Sequence, residues 1–199
     1  MCIRDRSLGY EFLKKLDIIS KITLKINSLG DTDSRVNYRK VLIEYLNDYR
    51  SYLSEDSIKR LSENPLRILD SKNEVDQKIL IDAPNVLDYL NEKSRERFEN
   101  VCEGLNVLKI KYEIDKNLVR GLDYYCHTAF EFMTDELGAQ GTVLAGGRYD
   151  GLSKMLGGVE VPGVGWAAGV ERLALMVQSE YTNSPDIVLM AQTEVYNHL

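Results

Sequence analysis

Eleven of the fourteen glycines in this 199-residue chain fall between Gly121 and Gly169. Each glycine inside a regular element costs about 0.5–1 kcal/mol relative to alanine. A segment this rich in them folds as short strands joined by turns, or where backbone must come close to something else. Charge divides the chain at the same place. The 21 basic and 21 acidic groups of residues 1–116 balance, whereas residues 117–199 carry only Arg120, Arg148, Lys154 and Arg172 against ten acids. The entire net charge of −6 therefore lies in the glycine-rich part. The two halves are built on different plans.

Several classes are excluded at once. With 44% hydrophobic residues the chain is not a disordered acidic protein. No apolar run reaches the length of a membrane span, and the first twelve residues lack the apolar core of a signal peptide. Cys2, Cys102 and Cys126 are odd in number and scattered, which fits isolated thiols in a reducing compartment rather than a disulfide framework. With an acidic total, contact with nucleic acid would have to be local.

Met1–Arg6 reads as neither helix nor strand. Ser7 to Leu16 has the spacing of a short helix with Leu8, Phe12 and Leu16 on one face, and Ile22–Ile26 alternates as a half-buried strand. Helical periodicity then runs over Asp31–Leu53, Ser54–Asn64, Glu74–Ile81 and Asn91–Leu108. Arg35, Arg39 and Lys40 gather near the start of the first of these, the unfavourable end for cations, so they face either solvent or something outside the helix. From Lys111 the period changes to that of strands at 111–115, 126–134, 142–145 and 163–168, the third broken off by Gly146-Gly147. A helix from Gly169 to about Glu180 follows, with Val170, Leu173, Ala174 and Val177 inward, and Asp186–Ala191 reads as a further buried strand. Strands joined by glycine turns favour an antiparallel sheet, and the order of elements gives an α+β fold.

Three arginines stand in glycine contexts: Arg120, Arg148 within Gly146-Gly-Arg-Tyr-Asp-Gly151, and Arg172 within Gly169-Val-Glu-Arg-Leu173. A guanidinium fork binds phosphate or carboxylate at two points, and glycines let backbone N–H groups approach an anion. The alternative is that each pairs with a nearby acid, Asp123, Asp150 or Glu171. Tyr124, Tyr125 and Tyr149 lie beside them and can line a pocket for a small planar ligand or simply pack. Gly163-x-Gly165-x-x-x-Gly169 superficially matches a dinucleotide fingerprint, but Pro162 interrupts it and no strand–helix repeat supports a parallel unit. Walker A, His-Glu-x-x-His and Gly-x-Ser-x-Gly patterns are absent. With only His127 and His198, neither a histidine triad nor a zinc site is expected.

Four segments, Leu118–Tyr125, Leu137–Thr142, Gly146–Leu152 and Gly169–Leu173, together resemble histidyl-tRNA synthetase. Leu118–Tyr125 and Gly146–Leu152 are similar to the family's two histidine-specific motifs, Leu137–Thr142 lies between them, and Gly169–Leu173 is similar to motif 3 of class II aminoacyl-tRNA synthetases. Likeness extends upstream through Leu24–Gly30, Asn37–Arg39 and Asn64–Asp70, covering residues 7–199. The resemblance implies part of a class II antiparallel-sheet catalytic domain with a helical insertion: core continuation at 1–30, insertion at 31–108, core again at 109–183, and the start of an anticodon-binding domain at 184–199. It implies that Arg120 contacts the α-phosphate and the histidine carboxylate. Tyr124, Tyr125 and Tyr149 would line the histidine pocket, and Arg172 would hold ATP, with Gly169 leaving room for the nucleotide.

ATP as substrate with its Mg2+, histidine and tRNA(His) would be the partners, the whole protein a cytoplasmic homodimer without membrane contact, and no resident metal is expected. Motifs 1 and 2 have no counterpart here, so the chain reads as a central fragment that does not form histidyl-adenylate alone. Two competing readings are a non-catalytic, synthetase-like regulator of histidine biosynthesis, and a helical binding module made of residues 31–108. Retention of Arg120 and Arg172 argues for the enzyme.

Overall fold

The computed structural model describes residues 2–121, 124–138 and 141–177. Five strands form one mixed sheet in the order β2-β1-β3-β4-β5: β1 (Thr23–Ser28), β2 (Glu113–Ile114), β3 (Cys126–Met133), β4 (Thr142–Arg148) and β5 (Val164–Ala168). The pairings β1–β3, β3–β4 and β4–β5 are antiparallel, as the glycine turns lead one to expect, whereas the β1–β2 edge is parallel. That edge explains the helical stretch. Parallel neighbours cannot be joined by a hairpin and need a long crossover, and here it comprises α2 (Thr32–Asp48), α3 (Glu55–Glu63), α4 (Glu74–Leu80) and α5 (Glu92–Val107).

Each of these helices starts on a side-chain cap: Asp31, Ser54, Asn73 and Asn91 accept backbone N–H groups of their first turns. Helix α2 stops at Asp48 rather than near Leu53. The chain turns back there, so Leu53 remains buried although it has left the helix.

Two hydrophobic clusters result. Tyr38, Leu42, Leu46, Leu61, Ile68 and Leu80 close the core of α2–α4. The sheet has its own, where Leu24, Ile26, Phe130, Phe132 and Leu144 meet α1 (Cys2–Lys15), α5 and α7 (Val170–Met176), the short α6 (Leu152–Met155) lying between β4 and β5 in the chain. Helix α5 gives this second core Phe98, Val101 and Leu105. Helix α7 turns Leu173 and Met176 inward, while Val170 and Ala174, expected inside, are exposed. It ends at Met176; the expected continuation to Glu180, the strand at 186–191 and residues 184–199 lie outside the described residues.

Helix α1 begins at Cys2, so Arg4–Arg6 are helical after all, and its buried stripe is Arg6, Gly9 and Leu13. Leu8, expected on the buried face, is 61% exposed. The apolar pattern misleads because an arginine occupies a core position. The Arg6 side chain is wholly buried, with its guanidinium carbon 4.6 Å from the Phe130 ring centroid. Gly9 lets the helix rest directly on Phe132 and Leu144.

Strand β4 does not break at Gly146-Gly147 but runs through them to Arg148. Both glycines are there for close approach. A Cβ on Gly146 would fall 2.2 Å from the Gly165 carbonyl oxygen of β5, and one on Gly147 2.8 Å from the Tyr125 ring. We therefore expect Gly146→Ala to part β4 from β5 and to cost about 2 kcal/mol or more, within or above the usual range for overpacking. Urea unfolding followed through Trp166, the single tryptophan and the residue paired with Gly146, reports it; an unshifted midpoint would show that the strands separate freely.

Candidate functional site

One face of the sheet carries Phe130, Phe132 and Trp166 into the core. The opposite face carries two registered rows: Lys25, Glu131, Ala145 and Ala167, and beside it Asn27, Ala129, Gly147 and Gly165. On β3, β4 and β5 this second face is mostly alanine and glycine, a low floor on which larger groups can lie. Tyr125 lies over Gly147, and the Tyr149 hydroxyl over Gly165, where a Cβ would come within 2.5 Å of it. Tyr124 completes an aromatic cluster, 4.6 Å from Tyr125 and 5.9 Å edge-on from Tyr149 between ring centroids. Removal of solvent, then the neighbouring Tyr125, pushes the Tyr124 phenol up, so it stays neutral near pH 7.

Arg120 reaches the same face. Asn27, wholly buried on β1, donates its side-chain amide to the carbonyls of Lys116 and Leu118, at 3.3 and 3.0 Å, which fixes the segment leading to Arg120. The Arg120 guanidinium then stands 5.4 Å from the Tyr125 ring centroid and donates through Nη1 to Glu131 Oε1 at 2.5 Å. The other Glu131 oxygen accepts from the Thr142 hydroxyl at 2.8 Å. Arg172 donates through Nη1 to the Thr142 main-chain oxygen at 2.5 Å. Arg120, Tyr124, Tyr125, Tyr149 and Arg172 are thus joined by direct contacts through Glu131 and Thr142.

Gly169 is the N-cap of α7, and a Cβ there would press on the stem of Arg172, 3.3 Å from Cδ. A cleft of about 500 Å³ opens beside Arg120 between the sheet and the α2–α4 unit, with Lys25, Arg67, Lys72 and Glu131 on its walls. A larger hollow of about 1000 Å³ at the β2 edge includes none of the arginines.

Among the described acids expected beside the arginines, Asp150 alone takes one, holding Arg148 Nε at 2.8 Å. Arg120 is held instead by Glu131, eleven residues away; Asp123 lies outside the described residues. The alternation of Thr128, Phe130 and Phe132 with Ala129, Glu131 and Met133 puts Glu131 on the opposite face of β3 but names no partner for it. Arg35 was also assigned none, and it donates to the Tyr125 carbonyl at 2.7 Å, so one cation near the start of α2 faces the tyrosine cluster. The only signal for Glu131 in the sequence was an acid between two buried phenylalanines.

Cys126, His127 and Asp150 bring ligand atoms within 4.8 Å of one another. His127 has φ 51°, and two β3 residues are out of register with β4 there, which turns adjacent side chains to the same side. The surroundings oppose a cation. Asp150 is engaged by Arg148, burial keeps the Cys126 thiol protonated, and Arg97 and Arg148 act on the imidazole. Burial first, then these two arginines, lowers the His127 pKa to about 4. Unfolded histidine takes its proton near pH 6.5, and the folded one resists it until about 4. This contribution to stability is therefore complete above 6.5 and is lost as pH falls through that window. At pH 4.5 it removes roughly 2–3 kcal/mol. His127→Asn, which suits the left-handed backbone, should flatten that decline between pH 7 and 4.5 in urea titrations. Parallel slopes for the two proteins would refute it.

One mixed sheet backed by helices is the α+β fold shared with class II aminoacyl-tRNA synthetases. The histidyl-tRNA synthetase family model matches residues 44–173. The histidine–tRNA ligase of Rhodospirillum rubrum is 54% identical over 179 residues, covering 90% of this chain and 43% of that protein. The ligase of Orientia tsutsugamushi is 50% identical over 96% of this chain and 46% of its own length. The apo histidyl-tRNA synthetase of S. aureus superposes with a TM-score of 0.62 at 36% identity, over 87% of this chain and 44% of that one. The chain belongs to the histidyl-tRNA synthetase family. It spans under half the length of these three relatives. A Bacillus halodurans protein titled as an ATP phosphoribosyltransferase regulatory subunit/histidyl-tRNA synthetase shares the fold, with a TM-score of 0.51 at 16% identity.

Proposed function

We propose that this chain supplies part of the active site of a histidine–tRNA ligase, its observed contacts uniting the histidine-specific and motif 3 segments. The observation that carries the reading is the continuous link from Arg172 through Thr142 and Glu131 to Arg120 and the tyrosines. In the reaction the histidine carboxylate attacks the α-phosphorus of ATP, the α–β phosphoanhydride bond breaks, and pyrophosphate leaves. The 3′-terminal ribose hydroxyl of tRNA(His) then attacks the acyl carbon of the adenylate and AMP departs.

Arg120 acts on the negative charge shared between carboxylate and α-phosphate, and its place at the edge of the tyrosine cluster suits both. Tyr124, Tyr125 and Tyr149 form the walls around the imidazole. A site built to hydrogen-bond a polar side chain rejects apolar analogues strongly, because they leave buried polar groups unpaired. Arg172, beside Gly169 at the far end of the link, grips the distal part of ATP, which brings Mg2+ with it as part of the substrate. We assign residues 1–30 and 109–183 to the catalytic core, 31–108 to the insertion and 184–199 to the start of an anticodon-binding domain. The whole protein is proposed to work as a cytoplasmic homodimer.

The test is a transplant. Residues 7–177 replace the matching stretch of the Rhodospirillum rubrum ligase, and the chimera is assayed for histidine-dependent ATP–pyrophosphate exchange and for charging of tRNA(His). Exchange and charging near the parent rate are expected. A folded chimera that binds histidine without exchange would move the reading to the regulatory class.

A further inference from the structure

We infer that Glu131 is a positioning residue that sets the two ATP-facing arginines as a pair. The inference rests on the functional reading above, but its geometry stands without it. Glu131 lies on β3, the central strand of the sheet, with its side chain 16% exposed. Each carboxylate oxygen has its own partner: Oε1 takes Arg120 Nη1, and Oε2 takes the Thr142 hydroxyl. Thr142 is also the residue whose main-chain oxygen holds Arg172. One carboxylate therefore fixes Arg120 directly, and Arg172 through the strand beside it.

A local irregularity in β4 makes this possible. Phe132 pairs with Leu144, but Met133 pairs with Thr142, so Val143 is an extra residue out of register. Side chains alternate faces along a strand, and Ala145 lies on the Glu131 face. Without the bulge, Thr142 would fall on the opposite face with its hydroxyl out of reach. Bulges of this kind re-aim side chains beside functional sites. Here the bulge serves a second purpose: Val143, with 1% exposure, joins the sheet core and its carbonyl accepts the Gly169 N–H at 3.0 Å. The same two residues thus seat the start of the Arg172 helix and bring Thr142 to Glu131.

The chemistry of the pair explains why a carboxylate stands near a site for anions. A guanidinium has five donors, and Glu131 takes one of them. Its task is to hold the fork in one orientation before ATP arrives, since a misplacement of about 1 Å at a reacting centre can cost about a hundredfold in rate. Thr142 separates the carboxylate from Arg172, so that guanidinium keeps its charge for the nucleotide.

The experiment has two arms. In the 199-residue chain labelled with 15N-arginine, slow rotation of both the Arg120 and Arg172 guanidinium groups is expected. Glu131→Ala should release both, and Thr142→Val, which removes only the hydroxyl, should release Arg172 more than Arg120. Release of Arg120 alone by Glu131→Ala, or of neither, overturns the inference. In the chimera, Glu131→Ala should lower kcat for pyrophosphate exchange by about 30- to 100-fold and raise KM for ATP. Glu131→Gln, which keeps one accepting oxygen, should recover most of that loss. A fall in melting temperature with kcat and KM unchanged would make Glu131 merely structural and defeat the proposal. An inactive parent chimera with both arginines still released would instead refute the functional reading and leave the geometry standing.

Discussion

Arg120→Ala in the Rhodospirillum chimera is expected to lower histidine-dependent pyrophosphate exchange by roughly two to three orders of magnitude, the usual cost of removing one preorganised donor from developing charge. Two anions, the histidine carboxylate and the α-phosphate, must approach each other, and a fixed guanidinium between them acts most where their charge concentrates. The loss should therefore fall on kcat more than on KM for ATP. Arg120→Lys separates charge from shape. A lysine keeps one positive charge, but it cannot give one edge to Glu131 while offering the other to substrate. We expect it to remain at least about tenfold below the parent chimera. Removing Arg120 also leaves Glu131 with Thr142 as its remaining partner, so melting curves must accompany the kinetics. A modest fall in stability is expected, and the kinetic loss should persist well below the melting transition. Exchange within threefold of the parent would remove Arg120 from the chemistry.

How much of this was legible beforehand follows from the range over which each signal acts. Helix periods are local, and the ranges beginning at Asp31, Ser54, Glu74 and Asn91 open within one residue of the observed helices. The alternation of Phe130, Glu131 and Phe132 likewise assigns the two faces of β3 correctly. Glycine was ambiguous for a physical reason. Gly146-Gly147 has the composition of a turn, yet these residues continue β4 because the Gly165 carbonyl and the Tyr125 ring occupy the space of their side chains.

Arg6 defeated the apolar pattern because a stacked guanidinium can take a core position that periodicity reserves for leucine. Composition and spacing single out the arginines and tyrosines as residue types, whereas their proposed roles follow from family resemblance. Their meeting depends on the Val143 bulge and on Asn27 holding residues 116–118, neither of which leaves a mark in spacing. Glu131 is the clearest case. Its partners lie eleven residues away on either side, and only the folded sheet shows that they are shared.

The largest stability effect is expected far from the glycines, at Asp76 in α4. Its side chain is wholly buried, and it accepts from the Ser54 N–H and hydroxyl, the Ser57 hydroxyl and the Ser71 hydroxyl, at 2.9, 2.7, 2.6 and 2.6 Å. One carboxylate thus gathers the start of α3, its first turn and the loop before α4. Although burial alone would raise its pKa, the serine hydrogen bonds outweigh that and hold it below the ordinary value. The sign follows: the stabilisation is present above the unfolded carboxylate range near pH 4 and is lost as pH falls below it. Asp76→Ala leaves buried hydroxyls without their acceptor, and we expect a cost of about 3–5 kcal/mol. For a chain of this length that is roughly 10 °C or more in melting temperature. Asp76→Asn, which keeps one accepting oxygen, should cost about half as much. Because Ser71, Lys72, Gln77 and Leu80 also wall the cleft beside Arg120, the Ala variant should reshape that cleft even where the sheet stays folded. Hydrogen exchange distinguishes the two levels: protection should fall over α2–α4 first and persist in β1, β3 and β4. Simultaneous loss across both cores, or an unchanged melting temperature, would mean that Asp76 is not what holds the helical unit together.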